Sequence, residues 1–439
     1  MLKQTSRLCI DPVREAYPTM IGSLRPFMRN FVRLVGPHYL QLFEGVKGVE
    51  RLGEDHYRGA LDAFYRGDER LIIAFRHVMK EDAPALMYTL MNTPPVQGHR
   101  PHAHFLYGKD VLNWAGRKAA MVFPHLAAVP VENHVINSES LRTLKDLVIN
   151  GEHPIALAPE AQVTYHTGRV APISHGSAFL AHLAAQEHRK VSVLPVSLYY
   201  TFDGGYQQTL QDIFQRWETR CGLTLSQKTD TGSALLEATE KTLTLLCEEF
   251  PCELPRELSL RKRLQLMCQS VLDAGESLAG LSGGSRVIDR VFALRKSGNN
   301  ILWNKDVKQR HGSPLSSRLL EMEALKGHLI LRHERVADIL EYIDPTYITE
   351  TNDPHRECEY GLNLLDLINR MEGGTINTRY SPKGKQVSVL FGERIPLQAS
   401  PDLTRKEQIQ RFSQNIHTSL SSISYAHEQI MRTGTCTDP

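Results

Sequence analysis

Short apolar runs alternate with helical patterns between residues 71 and 200, and this alternation limits the possible folds more than any other feature. The runs are rich in Val, Ile, Leu and Ala, as buried strands are. The runs cover 71–75, 119–123, 127–131, 154–158 and 191–200, and the helical patterns cover 82–92, 137–150 and 176–188. Such alternation is typical of an α/β layer with a mainly parallel sheet. We therefore expect a functional site at the carboxyl ends of the strands.

Beyond residue 205 the pattern becomes helical. Apolar residues recur at three-to-four spacing through most of 206–375, composition then returns to that of a strand over 386–397, and a helix is predicted over 404–431. This predicts a large helical insertion between two parts of one sheet. We expect four regions: an N-terminal amphipathic segment (1–40), an α/β core (41–205), a helical region (206–385), and a returning strand with a C-terminal helix (386–439).

A histidine and an aspartate follow the first apolar run at a spacing that suits proton transfer. His77 and Asp82 are separated by four residues directly after the run 71–75. A carboxylate that orients an imidazole lets the ring take a proton from an attacking hydroxyl. The same spacing occurs at His333 and Asp338, but there the surrounding apolar residues have helical periodicity. We interpret this second pair as the solvated face of a helix.

Seven short segments, one of which contains His77 and Asp82, stand in a fixed order: FEGVKGVERL at 43–52, HVMKED at 77–82, VPVEN at 129–133, ALAPEA at 156–161, PISHGSA at 172–178, VLPV at 193–196 and VSVLFGERI at 387–395. The first six resemble the glycerolipid acyltransferase family over roughly residues 41–200, and the seventh resembles a strand near the end of that family's domain. The resemblance implies an enzyme that moves a fatty acyl group from a thioester of coenzyme A or acyl carrier protein to a glycerolipid hydroxyl. It also implies that no metal or other cofactor is needed.

The resemblance assigns roles to individual residues. His77 is the general base and Asp82 orients it, Glu160 positions the acceptor, and Asn133 and Gly176 contribute to the acceptor site. The backbone amides of Ala161 and Gln162 are candidate donors to the oxyanion of the transition state. The alternative for Glu160 is that it is an acidic residue in the first turn of a helix, without a role in the site.

Two departures from the family pattern concern the acceptor's phosphate. Asn133 and Val163 stand where the family has arginines that contact this phosphate. Arg169 and His166 are nearby candidates to replace them, because an arginine can hold a phosphate through two parallel hydrogen bonds. The alternative is that Arg169 is a surface turn residue. The acceptor is therefore either a phosphate-bearing glycerolipid held by Arg169 or a lipid without a terminal phosphate.

Composition excludes several classes of protein. The chain has 439 residues, of which 41% are apolar and 23% charged, with a net charge of +2. These values are ordinary for a globular protein and argue against a nucleic-acid binder. Seven cysteines without a C-x-x-C pair indicate neither a zinc site nor a disulfide framework, so we expect a cytoplasmic protein. We expect no membrane span, because no stretch of 18 apolar residues occurs.

The segment from Leu24 to Val35 suits a membrane surface. Arg25, Arg29 and Arg33 recur every four residues, and Ser23 is a suitable helix cap. The arginines alternate with the apolar residues Leu24, Phe27, Met28, Phe31, Val32 and Val35. A helix would place the three guanidinium groups in one line beside an apolar face, a composition that fits an anionic lipid interface. This predicts a peripheral position on the inner face of the membrane. The alternative is an amphipathic helix packed on the protein's own core.

Two smaller motifs leave other readings open. Gly280 to Gly284 satisfies G-x-S-x-G, the string of a nucleophile elbow, which would make Ser282 the nucleophile of a serine hydrolase. The elbow needs a preceding strand, whereas helical periodicity predicts a turn between two helices here. His99, His102 and His104 lie close together, and we interpret them as a loop rather than a metal site. A catalytically silent lipid-binding protein with the same fold is a further alternative.

Overall fold

A computed structural model describes residues 13–17, 19–132, 138–187, 190–202, 204–226, 228–284, 286–303, 313–351, 353–398 and 402–433. The chain divides into two compact units. One, the helical unit, comprises Met1–Pro18, Leu112–Gly116 and Tyr206–Tyr380. The other, the sheet unit, comprises Thr19–Val111, Arg117–Gly205 and Ser381–Pro439.

The sheet unit is α/β with a mixed, mostly parallel sheet. Eight strands are present within the described residues, and seven follow the order β1-β7-β6-β2-β5-β3-β4, with β8 beside β6. Strands β4, β3, β5, β2 and β6 are mutually parallel, whereas β7 and β8 run antiparallel to β6, and β1 pairs in parallel with β7. The strands are β1 Val46–Leu52, β2 Arg70–Phe75, β3 His104–Gly108, β4 Val129–Val131, β5 Ile155–Leu157, β6 Val191–Thr201, β7 Lys385–Phe391 and β8 Ile395–Pro396.

The helices are distributed over both units. In chain order they are α1 Pro26–Leu42, α2 Glu54–Tyr65, α3 Asp82–Met91, α4 Val111–Val122, α5 Ser138–Asn150, α6 Gly176–Ala185, α7 Gly205–Cys221, α8 Thr231–Glu249, α9 Leu260–Ala279, α10 Val287–Leu302, α11 Pro314–Leu340, α12 Thr346–Thr349, α13 Pro354–Met371 and α14 Arg405–Thr433. A short 3-10 turn follows α4 at Phe123–Leu126.

Helices cover both faces of the sheet, which explains why residues 71–75 of β2 form an unbroken apolar run. Ile73 and Phe75 pack on one face with residues of α2 and α3. Ile72 and Ala74 point to the other face, where they pack with α5, α6 and α14. Successive side chains of a strand face opposite ways, so each face needs its own set of apolar residues. Strand β7 lies in this sheet although the helical unit separates it from β6 in sequence.

The helical unit buries polar as well as apolar groups. Its helix α13 is buried from Glu357 to Arg370. Asp366 lies there between Arg370 at 3.0 Å and Arg379 at 2.9 Å, and Arg370 also contacts Asp338 at 2.6 Å. Buried charges of this kind are tolerated because each has partners of opposite sign.

Three local predictions were wrong or incomplete. The run 119–123 is not a strand, because most of it belongs to α4, and an apolar run of five residues fits either element. Strand β3 and helix α2 were not predicted. Of the histidines predicted to form a loop, His102 lies outside any helix or strand, whereas His104 begins β3; both side chains are buried.

Candidate active site

The turn between β2 and α3 brings His77 and Asp82 into contact. Nδ1 of His77 lies 3.1 Å from Oδ2 of Asp82, which also accepts the backbone N–H of Met79 at 2.8 Å. The carboxylate is fully buried, whereas the histidine side chain is 23% exposed. Because a neutral imidazole that donates through Nδ1 has its lone pair on Nε2, Nε2 is the nitrogen that can take a proton. The pair therefore has the geometry of an oriented base within reach of solvent.

The second oxygen of Asp82 has a partner from a distant strand. The hydroxyl of Tyr200, on β6, donates a hydrogen bond to Oδ1. Burial raises the pKa of Asp82 above its ordinary value, and the hydrogen bonds from His77, Tyr200 and the N–H of Met79 oppose this rise. Burial also raises the pKa of Tyr200 well above its ordinary value, so this residue is a neutral phenol that can donate.

Glu160 holds the backbone around His77. Its carboxylate is fully buried and accepts Nε–H of Arg76 at both oxygens, at 3.2 and 3.1 Å. One oxygen also accepts the backbone N–H of His77 at 2.9 Å, and the other accepts that of Ala171 at 3.1 Å. With both oxygens occupied inside the protein, this geometry favours a positioning role for Glu160 over the contact with an acceptor that the sequence suggested.

Arg76 also fixes the loop that follows Glu160. Its guanidinium donates to the carbonyls of His166, Thr167 and Arg169 at 2.7, 3.1 and 3.0 Å. It donates as well to Oγ of Ser424, on α14, at 2.7 Å. The buried cation is thus satisfied by one carboxylate, three carbonyls and one hydroxyl, as a buried arginine requires.

The loop 160–171 is pinned directly to the histidine turn. The N–H of Thr164 donates to the carbonyl of His77 at 2.8 Å, and that of Tyr165 donates to Val78 at 3.0 Å. Ala161 and Tyr165 have φ of 62° and 57°, in the left-handed region that favours glycine. The N–H of Ala161 donates to the carbonyl of Ala158 at 3.0 Å. It is therefore not available as the oxyanion donor that we predicted.

The other residues predicted to bind the acceptor differ in their position and exposure. Gly176 begins α6, and Arg169 is half-buried in the loop held by Arg76. His166 is only 4% exposed, which makes its side chain a poor candidate for phosphate contact. Asn133 lies outside the described residues.

Sequence reasoning missed three residues near the carboxyl ends of the strands. Arg76 and Tyr200 contact Glu160 and Asp82, as described above. Lys109 directly follows β3, and its Nζ contacts Oε1 of Glu132, after β4, at 2.8 Å. The signal for Arg76 was present, because a charged residue stood between an apolar run and His77. The positions of Tyr200 and Lys109 near the site depend on strand register.

The second histidine–aspartate pair is helical, as predicted, but it is not solvated. His333 and Asp338 lie on α11 and are 9% and 8% exposed. Nδ1 of His333 contacts the carbonyl of Leu329 at 2.8 Å, and Asp338 pairs with Arg370. Packing in the helical unit therefore overrides the polar character of this face.

The Gly280–Gly284 motif and the histidine cluster do not form the sites that such motifs can form. Ser282 is exposed in the segment after α9, and no strand precedes it, so the geometry of a nucleophile elbow is not formed. Nε2 of His102 contacts the carbonyl of Leu126 at 2.8 Å, and Nδ1 of His104 contacts that of Ala127 at 3.2 Å. Burial lowers the pKa of His102 to about 3, so its ring is neutral.

The arginines of α1 do not form the single outward line that the spacing suggested. Arg25 precedes the helix, and Arg33 is exposed. Arg29 instead turns toward the protein and donates to the carbonyl of Arg100 at 3.0 Å. Burial lowers the pKa of Arg29 below its ordinary value.

No group of three or more His, Cys, Asp or Glu side chains in the described part of the chain is arranged to hold a metal ion. None of the helices that the structure describes is both long and apolar enough to cross a bilayer.

Comparison with known proteins yields no assignment. No protein-family model matches the chain, and no curated protein is significantly similar to it. The geometry around His77 and the sequence pattern around this residue therefore carry the functional proposal.

Proposed function

We propose that this protein is an acyltransferase that moves a fatty acyl group from a thioester of coenzyme A or acyl carrier protein to a hydroxyl of a glycerophosphate or lysophospholipid. The observation that carries the proposal is the contact of His77 with Asp82 at 3.1 Å, at the carboxyl end of β2, with the ring partly exposed. Acyl transfer to an alcohol needs such a base, and α/β sheets place their sites at this edge.

The chemistry needs one histidine and no covalent enzyme intermediate. Nε2 of His77 takes the hydroxyl proton while the acceptor's oxygen attacks the thioester carbonyl. The tetrahedral intermediate then collapses, the C–S bond breaks, and the thiolate leaves with the proton returned from the imidazolium. Asp82 stabilises that imidazolium and keeps the ring in the required tautomer. Glu160 and Arg76 hold the backbone on which His77 is presented.

The acceptor's phosphate needs a cation, because a desolvated phosphate without one is strongly disfavoured. Arg169 is our first candidate, since it belongs to the loop that is bonded to the His77 turn. Lys109 is the second, because it stands at the carboxyl end of β3, two strands from β2. Asn133 and Gly176 stay as predicted contributors to the acceptor site.

We place the enzyme in the cytoplasm, on the anionic inner face of a membrane, with α1 as its contact. Phe27, Leu34 and Phe43 are 74%, 77% and 73% exposed on or next to this helix. Arg25 and Arg33 are exposed beside them, and residues 16–43 contain no Asp or Glu. Exposed aromatic and aliphatic side chains next to cations are suited to the interface of anionic lipids.

The proposal is tested with purified protein, a panel of acyl thioesters and a panel of acceptors. Thiol release and the acylated product, identified by mass spectrometry, should appear together and require both substrates. Acceptors should include lysophosphatidate, lysophospholipids with capped phosphates and neutral alcohols. Lipid binding without turnover of any pair would instead support the silent lipid-binding alternative. Covalent labelling of Ser282 by a fluorophosphonate would contradict the proposed chemistry.

A further inference from the structure

Tyr200 joins the histidine–aspartate pair to the centre of the sheet. Of the two carboxylate oxygens of Asp82, Oδ2 contacts His77 and Met79, and Oδ1 accepts the hydroxyl of Tyr200. A carboxylate held at only one oxygen can rotate about its bond to Cβ. The phenol therefore fixes the orientation in which Oδ2 faces the imidazole.

The position of Tyr200 is itself fixed by strand pairing. Strand β6 runs parallel to β2, with Val196 opposite Phe75, and the N–H of Arg76 donates to the carbonyl of Val196 at 2.9 Å. Tyr200 lies on the face of β6 that packs against α3, and it is fully buried. The register of two strands thus determines where the hydroxyl meets Asp82.

Ionisable groups around Tyr200 occur as ion pairs. Nζ of Lys385, on β7, lies 5.8 Å from the centre of the tyrosine ring and 2.7 Å from Oε1 of Glu81. Glu44 contacts Nζ of Lys80 at 2.6 Å. Burial would raise the pKa of Glu81, but Lys385 lowers it below the ordinary value. Glu81 and Glu44 thus each have a lysine as their partner, while the hydroxyl of Tyr200 donates to Asp82.

We propose that Tyr200 is a positioning residue for the reaction, which favours the ionised form of Asp82 and holds its carboxylate turned toward His77 through the hydrogen bond to Oδ1. The inference rests on the proposed function only for its kinetic consequences. Its structural core concerns the state of Asp82 and can be measured in protein without substrate.

The test is the titration of the Asp82 carboxyl by ¹³C NMR in Tyr200→Phe, with the pH profile of kcat/KM measured alongside. Loss of a donor disfavours the charged form, so the pKa of Asp82 should rise by about one unit. The acid limb of the profile should move to higher pH in the same direction. We expect kcat to fall about tenfold, with little change in KM for the thioester, because ground-state binding is not touched.

Tyr199→Phe is the matched control. Tyr199 is the neighbouring buried tyrosine of β6, but it faces the opposite side of the sheet, where its ring lies 5.7 Å from that of His427. This variant should leave the titration of Asp82 unchanged. If Tyr200→Phe does not fold, 3-fluorotyrosine at position 200 replaces it. This more acidic phenol is a stronger donor, so it should lower the pKa of Asp82.

The outcomes separate the two proposals. A shifted Asp82 titration without turnover of any substrate would support the role of Tyr200 in ordering Asp82 and overturn the acyltransferase assignment. Turnover with an unshifted Asp82 titration and an unchanged pH profile in the position-200 variants would overturn the role of Tyr200 and leave the assignment intact.

Discussion

The backbone N–H of His77 donates to Oε2 of Glu160 at 2.9 Å, across 83 residues of sequence. The same carboxylate binds Arg76, whose guanidinium fixes the loop after Glu160. This buried ion pair therefore positions His77 in two ways. Glu160 accepts its backbone N–H, and Arg76 fixes the loop in which the N–H of Thr164 donates to the carbonyl of His77.

Arg76→Met should destabilise the sheet unit strongly. It leaves the fully buried carboxylate of Glu160 without its cation, and breaking a buried pair in this way costs about 3–5 kcal/mol. Chemical denaturation measures the free energy of unfolding. Arg66→Met is the control, because Arg66 pairs with Asp62 while 53% exposed, and such pairs contribute at most about 1 kcal/mol. Equal losses for the two variants would contradict the importance given to the buried pair.

Ala161→Gly should stabilise the protein. The φ of 62° at Ala161 costs a residue with a Cβ roughly 1 kcal/mol, which glycine avoids. Ala426→Gly, inside α14, should have the opposite effect and lose about 1 kcal/mol. A loss of stability in Ala161→Gly would show that the left-handed conformation is not the source of strain.

The sequence predicted the parts of the fold that are fixed locally. Strands β2, β5 and β6 were predicted because both of their faces are buried, which produces continuous apolar runs. Strand β3 was missed because its five residues include His104 and Tyr107, which interrupt such a run. The contact of His77 with Asp82 could be predicted from a spacing of five residues. The contact of Tyr200 with Asp82 and that of Glu160 with the backbone of His77 could not be predicted, because 118 and 83 residues of chain separate the members of each pair.

Arg169→Ala should raise KM for a phosphate-bearing acceptor by about tenfold or more, the loss expected when a charged hydrogen-bonding partner is removed. The KM for the acyl thioester should change much less. Lys109→Met serves for comparison, because the variant that raises this KM more identifies which of the two candidate cations contacts the phosphate. If Arg169→Ala has no effect and acceptors without a terminal phosphate react faster, Arg169 does not hold a phosphate and the acceptor is a lipid without a terminal phosphate.

Changing Phe27 and Phe31 together to Ser should abolish co-sedimentation with anionic liposomes, because each buried phenylalanine contributes about 1.5–3 kcal/mol. Changing Arg25 and Arg33 to Gln should weaken binding mainly at low salt, where charges are least screened. Leu315 and Met322 are each 69% exposed on α11 of the helical unit, and their double Ser variant is the control. Membrane contact through α1 would be refuted if both double Ser variants bound as the wild type does.

The central claim is tested most directly by the turnover of His77→Ala with an acyl thioester and the best acceptor from the panel. Removal of a general base should lower kcat by about 10²- to 10⁴-fold while the unfolding transition stays unchanged. Asp82→Asn should also reduce kcat, because an amide does not stabilise the imidazolium. The control His56→Ala, which changes an exposed histidine on α2, should retain wild-type turnover. A folded His77→Ala protein with kcat within about threefold of wild type would contradict the mechanism.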